Sequence, residues 1–113
     1  MIEVREHPEI EPHPSGGWQL MFWVLDAFNY ATPFRAMLAE IAHALGRDPQ
    51  NDLRLPAFEA SEDFVEGSLA FGTKSLGIYY EYSLSYLSLT HDDEAILREV
   101  ADRVRSRIRI VRA

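Results

Sequence analysis

Three stretches of the chain carry side chains of the types that chemistry needs. The run His7-Pro8-Glu9-Ile10-Glu11-Pro12-His13 holds two imidazoles and two carboxylates, which are ligand types for zinc or another divalent ion. Its spacing matches no common structural zinc site, and its prolines hold the backbone extended and spread the side chains, so a solvated acidic loop is the expectation. Glu59, Glu62, Asp63 and Glu66 form a carboxylate cluster that could supply a general acid and base for glycoside chemistry. That chemistry needs a cleft and one carboxyl of raised pKa; without them the cluster is an acidic patch or a docking surface. Tyr79, Glu81, Ser83 and Ser85 alternate along one face of a strand-like segment. There Tyr79 either anchors a partner or packs under a loop, since tyrosine gives large contact area at little entropy cost.

The other requirements of catalysis are missing. There is no cysteine, hence no thiolate nucleophile, disulfide framework or cysteine zinc site. No G-x-S-x-G occurs, Ser68, Ser83 and Ser85 fall on an outer strand face, and the sole lysine, Lys74, sits in a turn. Gly16-Gly17 leads into a strand, where a phosphate cradle would lead into a helix. His43 falls between apolar positions of a helix, where it reads as a partly buried packing residue, and His91 stands at a helix start. No catalytic, cofactor-binding or metal-ligating residue is assigned, and the chain is read as a binding protein and not an enzyme.

The elements that must position these residues follow from periodicity. Ile2 to Glu6 reads as a short strand. His7 to Gly17, with three prolines and two glycines, must be loop or edge. Trp18 to Asp26 is apolar without alternation, as in a central strand buried on both faces. A turn at Asn29 to Thr32 precedes a helix that Thr32 caps and Pro33 opens, with Phe34, Met37, Leu38, Ile41 and Leu45 as its apolar stripe and Gly46 as its stop. Asp52 to Phe58 holds a short strand ended by Pro56.

Alternation then returns. Val65, Gly67, Leu69 and Phe71 face one way, with Glu66 and Ser68 opposite. After a hairpin turn at Gly72-Thr73-Lys74-Ser75, the residues Leu76, Ile78, Tyr80, Tyr82, Leu84 and Tyr86 share a face. The phase flips to Leu87 and Leu89, which predicts a bulge or a break into two strands. Thr90 and Asp93 make a capping-box-like start to a last helix, whose buried stripe is Ile96, Leu97, Val100, Ala101, Val104 and Ile108. The expected fold is α+β: a mostly antiparallel five-stranded sheet with two amphipathic helices on one face, in the order β-β-α-β-β-β-α, forming one domain over residues 1–113.

Composition constrains the partner. The chain has 113 residues, 47% of them hydrophobic, and a net charge of −7, enough apolar material for one core and no room for a second. Residues 1–72 hold twelve acids and four bases, whereas residues 73–113 hold six acids and seven bases. The acidic majority repels a phosphate backbone and suits a basic protein, although acidity also serves solubility alone. Met1 to Glu6 has acids where a signal peptide has bases, and the apolar run Leu20 to Leu25 is too short to span a membrane. A cytoplasmic chain with neither nucleic acid nor membrane as partner is the expectation.

A short, acidic, cysteine-free α+β chain with an aromatic strand at Trp18 to Asp26 and the run Gly77-Ile78-Tyr79-Tyr80-Glu81-Tyr82-Ser83-Leu84-Ser85-Tyr86-Leu87 resembles the bacterial immunity proteins of polymorphic toxins, including those of contact-dependent growth inhibition. The resemblance lies in size, layout and aromatic character. It implies a stoichiometric inhibitor, encoded beside a toxin, that covers the toxin's active site; a basic nuclease is a toxin that an acidic surface would suit. The contact residues expected on this reading are Glu59, Glu62, Asp63, Glu66, Tyr79 and Glu81. The alternatives are a small ligand-binding domain or enzyme, and a secretion-chaperone or adaptor subunit.

Overall fold

The structure, a computed structural model, describes residues 2–24, 34–57, 63–82 and 86–111. Eight strands and two helices follow one another as β1 (Ile2–Val4), β2 (Glu9–Pro12), β3 (Trp18–Trp23), α1 (Phe34–Ala44), β4 (Leu53–Arg54), β5 (Phe64–Phe71), β6 (Lys74–Glu81), β7 (Tyr86–His91), α2 (Glu94–Val104) and β8 (Ile108–Ile110). Six strands form an antiparallel sheet in the order β2-β3-β7-β6-β5-β4, and β1 pairs in parallel with β8 in a separate two-stranded sheet. The fold is α+β as expected, but the main sheet has six strands where five were expected.

The main sheet loses the expected first strand, β1, to its pairing with β8, and gains two: β7, split from β6, and β2. Glu9 to Pro12 of β2 pair with Met21 to Trp18 at the sheet edge, where a proline costs no ladder hydrogen bond. The last helix also ends sooner than its periodicity implied. Arg105–Arg107 tighten into a 3-10 turn, and Ile108, Arg109 and Ile110 run extended beside β1, with Ile108 opposite Ile2. Ile108 therefore belongs to a strand; its β-branched neighbours Ile110 and Val111 favour the pleated surface over another helical turn. β4 is confined to Leu53–Arg54.

Alternation decides what each face of the sheet does. Leu20, Phe22, Leu87, Leu89, Ile78, Tyr80, Val65, Leu69 and Leu76 are buried on one side. They join a single core with Met37, Leu38, Ile41 and Leu45 of α1 and with Leu97, Val100 and Val104 of α2. α2 packs on β3 and β7, and α1 packs on α2 and β4. α1 stops where Gly46, at φ +71°, lets its amide and that of Arg47 donate to the carbonyls of His43 (3.0 Å) and Ala42 (2.8 Å). α2 starts at Asp93, whose side chain accepts from the Ala95 amide at 2.9 Å. Asp93 is thus the cap itself, because β7 runs on through Thr90 to His91. Thr32, Pro33 and the turn before them lie outside the described residues. His43, expected to be half-buried, is exposed, since the stripe of α1 is carried by positions 37, 38, 41, 42 and 45.

Candidate functional site: the helix-free face of the sheet

The residues between those of the core point the other way. Register across β5, β6, β7 and β3 lines up Phe64 with Glu81, Tyr86 and Trp23, and the next row lines up Glu66 with Tyr79, Ser88 and Met21. The four aromatic residues touch in sequence. Phe64 stacks on Tyr79 at 5.8 Å between ring centroids, Tyr79 meets Tyr86 at 5.8 Å, and Tyr86 meets Trp23 edge-on at 5.5 Å. Aromatic pairs of this kind contribute about 0.5–1.5 kcal/mol each beyond area burial, so the row is a stiff surface. It is also an open one: Phe64 is 53% exposed and Trp23 37%, and no described helix covers it.

Acids surround the row. Tyr79 donates its hydroxyl proton to Glu81 Oε1 at 3.1 Å, and the second oxygen of Glu81 lies buried with no hydrogen-bond partner among the described residues. Burial, then the hydrogen bond to Glu81 and its charge, push Tyr79 up to about 12. Burial, with help from the charge of Glu81, also raises Tyr86. Both phenols therefore stay neutral, and hydrogen-bond donors, at any physiological pH. Exposed Glu66 lies opposite Tyr79 and makes no ion pair with a described residue. Exposed Asp63 immediately precedes Phe64, and its carbonyl accepts from the Tyr82 amide at 3.0 Å. At the other edge Ser88 donates to Gln19 Oε1 (3.0 Å) and Gln19 donates to Glu11 Oε1 (3.2 Å), a relay across three strands that ties Glu11 to this face.

A groove of about 660 Å³ is cut into the same face. It runs from Glu66, Tyr79 and Tyr86 at mid-sheet, over Gly77, to His13 and Asp92 where β3 begins. Gly77 makes room for the neighbouring strand: a Cβ there would stand 2.2 Å from Thr90 Oγ1. His13 Nδ1 accepts from the Ser15 amide at 3.1 Å, which leaves the Nε2 proton as its donor when the ring is neutral. Among the described residues no three His, Asp or Glu side chains gather as a metal ion would require.

Of the six residues expected to meet a partner, Asp63, Glu66, Tyr79 and Glu81 fall together around the aromatic row, while Glu59 and Glu62 lie outside the described residues. Ser83 and Ser85 lie outside them too. Periodicity missed three of the four rings. Phe64 is in phase with Glu66, and that alternation was sufficient to place it. Tyr86, expected on the core face, belongs to the open face because β6 and β7 are separate strands, one of the two outcomes, bulge or break, that the flip to Leu87 predicted. Trp23 was hidden in a segment expected to be buried on both sides, which among the described residues holds for Leu20, Met21, Phe22 and Val24. No helix among the described residues is long and apolar enough to cross a membrane. No protein-family model matches this chain, and no curated protein or solved structure matches it either.

Proposed function

We propose that this chain is a stoichiometric inhibitor that binds a basic protein through the helix-free face of its sheet and performs no turnover of its own. The observation that carries the reading is the unbroken row Phe64–Tyr79–Tyr86–Trp23, exposed at its two ends and half-buried at the two tyrosines, with Asp63, Glu66 and Glu81 beside it. Rigid aromatic anchors slow dissociation, and carboxylates around them speed encounter with a positive surface and reject a negative one. The toxin-neutralising role implied by the resemblance to immunity proteins is the form of inhibition that fits, with a basic nuclease domain as the partner. Occlusion of the toxin's active site is then sufficient for protection.

The test is to co-produce the chain with the toxin domain encoded beside it, and to measure growth rescue and affinity for the wild type, Trp23→Ala and Tyr79→Ala. Rescue by the wild type is expected, with each variant weakened about tenfold or more, the usual cost of removing a central aromatic anchor. Full rescue and unchanged affinity in both variants would place the contact elsewhere. A second reading, a small ligand-binding domain, is favoured by the groove alone. It predicts that a metabolite raises the melting temperature of the isolated chain.

A further inference from the structure

We infer that the groove over Gly77 is a receptor for an arginine side chain of the protein partner, an inference that rests on the docking face proposed above. Every charged side chain that lines it is acidic or an imidazole: Glu66, Asp92, His13 and His91 stand around it, with no described lysine or arginine. Glu66 has no ion-pair partner among the described residues, so its carboxylate is available to a guanidinium in the two-point geometry that such pairs favour. Tyr79 and Tyr86, whose rings meet at 5.8 Å and 37°, line the same groove, and aromatic rings attract a guanidinium more often than an ammonium. Tyr79 in turn donates to Glu81, whose second carboxylate oxygen is buried with no hydrogen-bond partner among the described residues.

The shape agrees with the chemistry. The groove runs past Gly77 from the two tyrosines to His91 and Asp92, with the Thr90 side chain filling the space that a Cβ at Gly77 would take. A lysine ammonium would satisfy Glu66 but could neither stack flat on the tyrosines nor engage both carboxylate oxygens. An anionic ligand is repelled by Glu66, and a wholly apolar one leaves that carboxylate desolvated.

The experiment titrates the full chain with blocked tetra-arginine, tetra-lysine and tetra-citrulline peptides, following backbone amide shifts and fitting each affinity. Citrulline has the shape of arginine without its charge. Tetra-arginine is expected to shift Glu66, Gly77, Tyr79 and Tyr86 and to bind about tenfold more tightly than tetra-citrulline, and measurably more tightly than tetra-lysine. Glu66→Gln, an exposed substitution that leaves the fold intact, should remove most of that preference. Equal binding of the arginine and citrulline peptides, equal binding of the arginine and lysine peptides, or shifts confined to other acidic segments would overturn the assignment. If the peptide fails while the basic protein still needs Trp23 and Tyr79, the arginine receptor alone is wrong. If the protein binds without them, the docking face itself is wrong.

Discussion

At the residue scale, Tyr79 is where the sequence and the site meet. Its type and alternation placed it on the outer face, and its contacts with Phe64, Tyr86 and Glu81 give it a measurable signature. The folded phenol is held near 12, above the 10.0 of an ordinary tyrosine, first by burial and then by Glu81. Its contribution to stability is therefore fully present below about pH 10 and is lost as pH rises through the folded value, because the unfolded chain gives up the proton first. A denaturation series from pH 9 to 12 should show that alkaline decline in the wild type and a shallower one in Tyr79→Phe. Identical slopes would mean that Tyr79 is not held by its neighbours. Charge type and strand phase made Glu66, Tyr79 and Glu81 legible beforehand. Trp23 and Tyr86 were not, because which face they occupy depends on where β3 and β7 end, and hydropathy does not mark that.

At the scale of elements, α1 and the β5–β6 hairpin could be read directly, since each combines a clean period with a stop signal. α2 was legible by its period, but its end was not. α1 ends at Gly46 and the hairpin turns on Gly72-Thr73, as their glycines foretold. The pieces that escaped are short. β2 has four residues and two of them are acidic, and β8 has three, so neither carries enough alternation to stand out. Each exists because a neighbour supplies its hydrogen bonds, which is a tertiary effect. The α2 start illustrates the difference between a signal and its register: Thr90-His91-Asp92-Asp93 marked a helix N-terminus, yet β7 claims Thr90 and leaves the cap to Asp93. Asp93→Ala should therefore cost about 1 kcal/mol in urea denaturation. Thr90→Ala should not reproduce a capping loss; if it does and Asp93→Ala is neutral, the helix begins earlier than described.

At the scale of the molecule, the distribution of charge explains why one face is available for a partner. Three arginines of the α2 side are paired with acids: Arg98 with Glu94 at 2.7 Å, Arg103 with Glu99 at 3.0 Å and Arg105 with Asp102 at 2.6 Å. Exposed pairs of this kind add little stability, but they neutralise the helical side. On the open face Glu9, Glu11, Glu66 and Glu81 share the outer rows with Arg54, so an excess of negative charge accompanies the aromatic row. The total of −7 was plain from composition. The excess of acids on the open rows was not, because it depends on which strands neighbour one another. The most direct measurement is a hydrogen-exchange footprint of the chain alone and bound to its basic partner. Protection is expected along Asp63 to Glu66, Gly77 to Glu81, Tyr86 to Ser88 and around Trp23, with α1 and α2 unchanged. Protection concentrated on the helices, with the open face exchanging as before, would contradict the account.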